Sequence, residues 1–274
     1  MQKTAYLKEL TINATQKKNG TENTKADVKK IQSWLTLYSM VHPTAATATA
    51  IDGGFGTATE KAVINFQKAA GIPQSGIVNQ NTFSLLCAPL ANAFTMPATG
   101  NDLRQLTVNT AIQHVRQNPF ELNYAGQSNM GPWVRAYMDG NEGTPWFWCM
   151  GFVQTIIDQA ASQMNKNFKK LMPLTYSCDT VGTTGLQKGL LSRYTAVRNN
   201  PSVVKPGDLF LLQKTPNDWV HTGIITSVGT DIFETVEGNT NQGGSSNGFA
   251  VLKRIRNFRQ SKLDVFSIQP LADQ

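Results

Sequence analysis

Three residues in the second half of the chain are of the types that together make a nucleophilic site. Cys149 stands in Trp148-Cys149-Met150-Gly151-Phe152-Val153, His221 in Trp219-Val220-His221-Thr222-Gly223-Ile224, and Glu237 opens Glu237-Gly238-Asn239-Thr240-Asn241. A thiol attacks carbonyls as the thiolate, so it needs a base within hydrogen-bond reach, and the base needs an acceptor that fixes its orientation. Cysteine, histidine and glutamate supply those three roles. The competing reading of Cys149 taken alone is a small buried residue, because free cysteines behave as small hydrophobes.

The elements around these residues decide whether they can meet. Val153, Ile156, Ile157 and Ala160 recur at helical spacing, which places Cys149 at the first turn of a buried helix. The partial positive charge at a helix N-terminus lowers a thiol from about 8.5 toward neutrality, and its free N–H groups can receive an oxyanion. After Pro206-Gly207-Asp208, a short strand is expected at 209–212 and another at 219–225 with His221 near its start. Gly229-Thr230 marks a turn, and a returning strand at 232–236 ends in Glu237-Gly238-Asn239. Strand side chains alternate faces, so a loop of Gly229-Thr230 alone would oppose His221 to Gly238 and turn Glu237 away. A loop of 228–230 opposes His221 to Glu237, and one of 229–231 opposes it to Asn239. The catalytic arrangement therefore requires an odd loop or a bulge.

The chain has 274 residues, which at roughly 150 per domain predicts one large or two modest domains. With 40% hydrophobic and 16% charged residues it is neither a highly charged disordered chain nor a coiled coil. No apolar run is long enough to span a bilayer, and the opening segment shows no secretory signal. The formal net charge of +7 favours anionic partners such as nucleic acid, an anionic membrane surface or a bacterial cell wall. No basic block interleaved with aromatics speaks for nucleic acid, and the densest one, 253–259, reads as a strand with a solvated face. Three cysteines make no disulfide framework and no zinc site, and an odd count leaves at least one thiol free. Cys87 reads as a small core residue and Cys178 as part of a polar loop. His114 and His42 read as a packed or capping histidine and a loop histidine.

The first third reads as three short helices. Val28, Ile31, Leu35 and Tyr38 give the first; Thr57 and Glu60 suggest a capping box that starts a second, ended by Gly71 and Pro73; a third falls at about 81–87. Asp52-Gly53, Gly56, Thr59, Ala62-Val63, Phe66-Gln67, Gly71-Ile72, Gly76-Ile77-Val78 and Thr82 resemble the three-helix peptidoglycan-binding module found on many wall hydrolases. Residues 91–101, rich in Pro, Ala, Thr, Gly and Asn, read as a linker between a domain at 1–90 and one at 102–274.

The second domain resembles the CHAP family of cysteine, histidine-dependent amidohydrolases and peptidases. The resemblance rests on N-x-G-P-x-V-x-x-Y at 129–137, W-C-x-x-F-V at 148–153, P-G-D at 206–208, H-x-G-I at 221–224 and E-G-N-T-N at 237–241. It implies an α+β architecture, a three-helix bundle followed by a papain-like domain of helices on an antiparallel sheet. It also implies Cys149 as nucleophile, His221 as base, Glu237 as orienter of His221 and Asn239 as a supporting polar group, with no metal or cofactor. The expected activity is cleavage of an amide of the wall peptide, at the muramoyl–L-alanine bond or at a peptide bond, by a phage lysin or a wall-degrading effector. Such a protein would be made in the cytoplasm and reach the wall by holin-dependent or specialised export, acting as a monomer without nucleic acid or membrane span. The alternative is a non-catalytic wall-binding protein with a degenerate papain-like domain. The aromatics near the site (Trp133, Trp146, Phe147, Trp148 and Trp219) are of a type that flanks a peptide or stacks on a sugar, with core packing the stronger reading; Trp148 and Trp219 are the candidate substrate contacts, and loop 242–248 reads as a mobile rim or a plain flexible loop.

Overall fold

The computed structural model describes residues 1–244 and 246–273; Ser245, within the candidate rim 242–248, lies outside the described residues. The helices in chain order are α1 (Tyr6–Glu9), α2 (Lys25–Val41), α3 (Thr57–Ala69), α4 (Gln80–Leu86), α5 (Ala88–Thr95), α6 (Leu103–Val115), α7 (Pro132–Tyr137), α8 (Cys149–Gln163), α9 (Cys178–Gln187), α10 (Tyr194–Asn199) and α11 (Gln269–Ala272). The strands are β1 (Leu122–Tyr124), β2 (Gln127–Met130), β3 (Leu191–Ser192), β4 (Leu209–Thr215), β5 (Asp218–Val228), β6 (Ile232–Thr240), β7 (Ala250–Asn257) and β8 (Leu263–Phe266). The fold is α+β with antiparallel sheets. Two compact units divide the chain: one holds Met1–Lys3, Thr95–Pro119 and Trp146–Gln274, the other Thr4–Phe94 and Phe120–Pro145.

The helical unit is built on α2, α3 and α4, with Val28, Ile31, Leu35, Val63, Phe66 and Phe83 buried along their shared interior. Gln32 organises the turn before α3. Its side-chain amide donates to Asp52 Oδ1 (2.8 Å), the Gly54 carbonyl (3.0 Å) and the Thr59 hydroxyl (3.1 Å), while its oxygen accepts from the Gly53 amide (2.8 Å). Gly53 takes a φ of 83°, which a side chain would strain. The Thr57–Glu60 capping box expected from the sequence does not form. The N-cap is Gly56, Thr57 is already helical, and Glu60 pairs with Lys18 at 3.1 Å. The buried Gln32 network has taken over the task of holding the helix start.

Two other expectations change here. The stretch read as linker begins as a helix: Leu90, Ala93 and Phe94 are buried in α5, their helical spacing hidden by a composition of small residues. Residues 120–145 belong by their contacts to the helical unit. Trp133 meets Trp34 edge to face at 5.9 Å, and Arg135 binds Glu9 at 2.7 and 2.8 Å and Glu142 at 2.8 Å. Sequence continuity with the second domain concealed this membership.

The other unit is a six-stranded antiparallel sheet in the order β3-β8-β4-β5-β6-β7. Helix α8 packs on β5 and β6, α6 packs on α8, and α9 lies on β5. Every residue of α8 from Cys149 to Ala161 is buried, the mark of a helix that is central rather than amphipathic at a surface. Phe210, Ile225, Phe233, Leu263 and Val265 of the sheet form an apolar cluster with Val197 and Phe258. The β5–β6 register carries an irregularity between Ile225 and Ser227, so the hairpin contains the kind of bulge that a shared face for His221 and Glu237 requires.

Replacing Gln32 with Leu removes the acceptor of the Gly53 amide and the donor to three oxygens in a buried site. A loss of about 1–3 kcal/mol is expected, read as a lowered denaturation midpoint. Lys18→Ala, which removes only the exposed pair with Glu60, is expected to cost about 1 kcal/mol or less. Equal losses for the two variants would contradict this account of the turn.

Candidate active site

Cys149 is the first residue of α8, preceded by Trp148 as N-cap. Cys178 is the first residue of α9, capped by the Ser177 hydroxyl, which accepts from the Thr180 amide at 3.2 Å. The two sulfurs lie 3.9 Å apart. Cys178 was expected in a polar loop; Ser177 followed by Val181 and Gly185 at helical spacing is the sequence signal for the helix that instead buries it.

His221 and Glu237 come from adjacent strands. Ile224 opposes Val236, and continuing that register puts Gly223 opposite Glu237, with His221 on the same face one pair further on, opposite Asn239. Gly223 matters here. A Cβ on it would lie 2.7 Å from Glu237 Cγ and 2.8 Å from a Phe210 ring carbon. The missing side chain lets the Glu237 side chain lean diagonally to His221, whose Nε2 meets Glu237 Oε2 at 2.9 Å.

Glu237 is fully buried and has further partners. Thr235 donates its hydroxyl to Oε1 at 2.7 Å, Arg256 Nε donates to Oε1 at 2.7 Å, and the Arg256 terminal nitrogen donates to Oε2. Burial alone would raise this carboxyl; the Arg256 and His221 hydrogen bonds overcome it and hold Glu237 down at about 2. Arg256 was read as part of a solvated strand face. Lys253 and Ile255 do face solvent, but Arg254 and Arg256 share the alternation of Leu252, which opposes Glu237. That parity is the signal that could have found Arg256.

With Nε2 committed to Glu237, His221 Nδ1 has no hydrogen-bond partner among the described residues. The ring and the Cys149 sulfur are electrostatic neighbours. Burial would lower the imidazole, but Cys149 and Glu237 raise it to about 9. The Cys149 thiol is held well below its usual range, chiefly by the hydrogen bond from Cys178, against burial, and then by His221 and the Met150 amide. Cys178 moves the opposite way, pushed up by the Cys149 sulfur and by burial. These directions favour the charged forms of Cys149 and His221 and the neutral thiol of Cys178.

Asn239 is buried at a φ of 55°, and its Oδ1 accepts from the Trp148 amide at 3.1 Å. Its Nδ2 donates to the Gly248 carbonyl at 2.6 Å. Asn239 therefore ties the end of β6 to the residue before Cys149. Trp148 and Trp219, the candidate substrate contacts, are buried: Trp219 donates from Nε1 to Asp264 at 2.9 Å and packs on Gly182. They offer no ring face to a sugar or peptide, because both fill the interior around the site. Trp133 is likewise core, whereas Phe147 is 49% exposed and Trp146 meets Tyr176 edge to face at 5.9 Å.

Cys149 is 3% exposed, because it begins a fully buried helix and Cys178 covers one side of it. The site nevertheless lies just under the surface: Phe147, Ser177, Asp179 and Val220, one or two positions from the site residues, are all exposed.

Two substitutions test the construction. Gly223→Ala forces Glu237 or Phe210 to move and is expected to cost about 1–3 kcal/mol while slowing alkylation of Cys149. Arg256→Met leaves a buried carboxylate short of its main partner and is expected to cost about 3–5 kcal/mol, seen as a lowered melting temperature. Wild-type stability in either variant contradicts the proposed role of these contacts.

The comparisons with known proteins bear on the first unit. Residues 24–86 match the family described as "Putative peptidoglycan binding domain". No curated protein and no solved structure matches the chain. Among the described residues no helix is long and apolar enough to cross a membrane. The chain thus carries a peptidoglycan-binding module, with peptidoglycan as a partner and association with the cell wall as its consequence.

Proposed function

We propose that this chain is a peptidoglycan hydrolase that cleaves an amide bond of the wall peptide by thiol chemistry at Cys149. The bond is either the N-acetylmuramoyl–L-alanine amide or a peptide bond, both being amides open to the same attack. The carrying observation is the His221 ring, whose Nε2 meets Glu237 at 2.9 Å, whose Nδ1 has no hydrogen-bond partner among the described residues, and which interacts electrostatically with Cys149. The module at 24–86 supports the substrate, since it would hold the enzyme on its polymer.

In this reading the Cys149 thiolate adds to the amide carbonyl, and the Met150 amide at the start of α8, which already favours the thiolate, would share the oxyanion charge. His221 passes the Nδ1 proton to the departing amine as the C–N bond breaks, leaving a thioester. The now neutral ring takes a proton from water, which adds to the thioester and frees Cys149. Glu237 holds the ring orientation and offsets its positive charge, and Arg256 and Thr235 hold Glu237. No step draws on a metal or cofactor. A phage lysin and a bacterial wall-degrading effector are the settings that fit.

One observation favours a second reading, a wall-binding protein with a degenerate papain-like domain: at 3% exposure, Cys149 admits a substrate carbonyl only if side chains above it shift. The two readings part in one experiment. Purified sacculi are incubated with wild type and with Cys149→Ser, and released muropeptides are identified by mass spectrometry. Release by wild type and none by Cys149→Ser is expected, and the masses identify the bond. Sacculi bound but left intact by wild type would establish the second reading. The rate is also expected to fall as pH rises through about 9, where His221 loses the proton it must give to the leaving amine. It is expected to fall again in acid, once Cys149 is protonated. A rate that keeps rising above pH 9 contradicts the acid role of His221.

A further inference from the structure

We infer that Cys149 and Cys178 form a thiol-oxidation site, in which Cys178 captures peroxide-oxidised Cys149 as a reversible disulfide. The sulfurs stand 3.9 Å apart, with no atom needed between them. A disulfide would bring them to about 2.05 Å. Each cysteine is the first residue of its helix, and α8 and α9 run 15 and 10 residues. Two helix N-termini therefore direct partial positive charge at one pair of sulfurs, which favours a thiolate there. Both side chains are buried under an exposed rim, an arrangement that admits hydrogen peroxide more readily than a bulky oxidant. The third cysteine, Cys87, lies in the other unit, where its sulfur is set against the Leu10 and Ser84 carbonyls, so it serves as an internal control.

The chemistry balances with hydrogen peroxide as oxidant. The Cys149 thiolate attacks one peroxide oxygen, the O–O bond breaks, and sulfenic acid forms while hydroxide leaves as water after protonation. Cys178 sulfur then attacks the sulfenic sulfur; the S–S bond forms, the S–O bond breaks, and the second water departs with the Cys178 proton. Two thiols are oxidised by two electrons and one peroxide becomes two waters. Without a neighbouring thiol the sulfenic acid proceeds to sulfinic acid, which thiol reductants do not reverse. The functional consequence rests on the hydrolase reading: the disulfide occupies the nucleophile and arrests the enzyme until a thiol reductant releases it.

The test uses the full-length protein and does not depend on activity. Wild type is treated with a small excess of hydrogen peroxide, free thiols are alkylated, and the digest is mapped by mass spectrometry without reduction. The expected result is a Cys149–Cys178 cross-linked peptide, with Cys87 alkylated and complete recovery of both thiols after dithiothreitol. Cys178→Ser and Cys178→Ala, checked for folding by circular dichroism, are expected to lose Cys149 irreversibly as sulfinic acid. Sulfinic acid at Cys149 in wild type, a cross-link through Cys87, or equal reversibility in the Cys178 variants would overturn the inference. Sacculus digestion by reduced protein is scored separately. A cross-link in a protein that never digests sacculi would leave this site standing and remove the hydrolase reading.

Discussion

A carboxylate taken out of water is costly, by several kcal/mol, unless charges and donors replace its hydration. Glu237 is buried at the junction of three strands, and its replacement shell is complete: Arg256 on both oxygens, Thr235 on one and His221 on the other. Much else in the sheet unit follows from that one charge. The bulge between Ile225 and Ser227 sets the face, Gly223 clears the space, and Arg256 spends its alternating position on an inward contact. A negative charge fixed in this way keeps the imidazole protonated, and a protonated imidazole in turn favours the thiolate.

The opposite end of the arrangement is helical. Cys149 and Cys178 both stand where a helix begins, so backbone amides and partial positive charge converge on the sulfurs from two directions. Asn239 joins this end to the sheet by accepting from the Trp148 amide, which makes the end of β6 and the start of α8 one structural piece. Carboxylate, ring and sulfur thus form a line in which the neighbours of each favour its charged form, held by elements far apart in sequence. Such a line explains why the cluster tolerates burial: each charge has its opposite beside it.

Much of this was legible in the sequence, and the misses have physical causes. Helical spacing from Val153 to Ala160 puts Cys149 at a helix start, and strand parity makes an odd loop or a bulge the condition for His221 and Glu237 to share a face. Cys178 was hidden because its helix opens with polar residues, and its partner lies 29 positions earlier. Arg256 was hidden because a basic run on an edge strand looks solvated unless its alternation is followed to the opposing strand. The tryptophans carried two readings: their position around Cys149 made Trp148 and Trp219 candidates for contact with substrate, while their size favoured the interior, and the interior is where Trp133, Trp148 and Trp219 lie. Sequence order misplaced residues 120–145 for a simpler reason, because Trp133 and Arg135 find their partners in Trp34 and Glu9.

In the proposed reading the segment that matches the peptidoglycan-binding family would supply retention on a polymer and the charged cluster a reactive sulfur. The central claim is the ion pair between Cys149 and His221. It is tested most directly by the pH dependence of Cys149 alkylation by iodoacetamide, in the folded protein and in a His221→Ala variant. The account predicts that wild-type Cys149 reacts at pH values well below the usual thiol range, and that the midpoint moves upward when the imidazole is removed. A sulfur that titrates as an ordinary thiol with or without His221, or that never reacts until the protein unfolds, would contradict it.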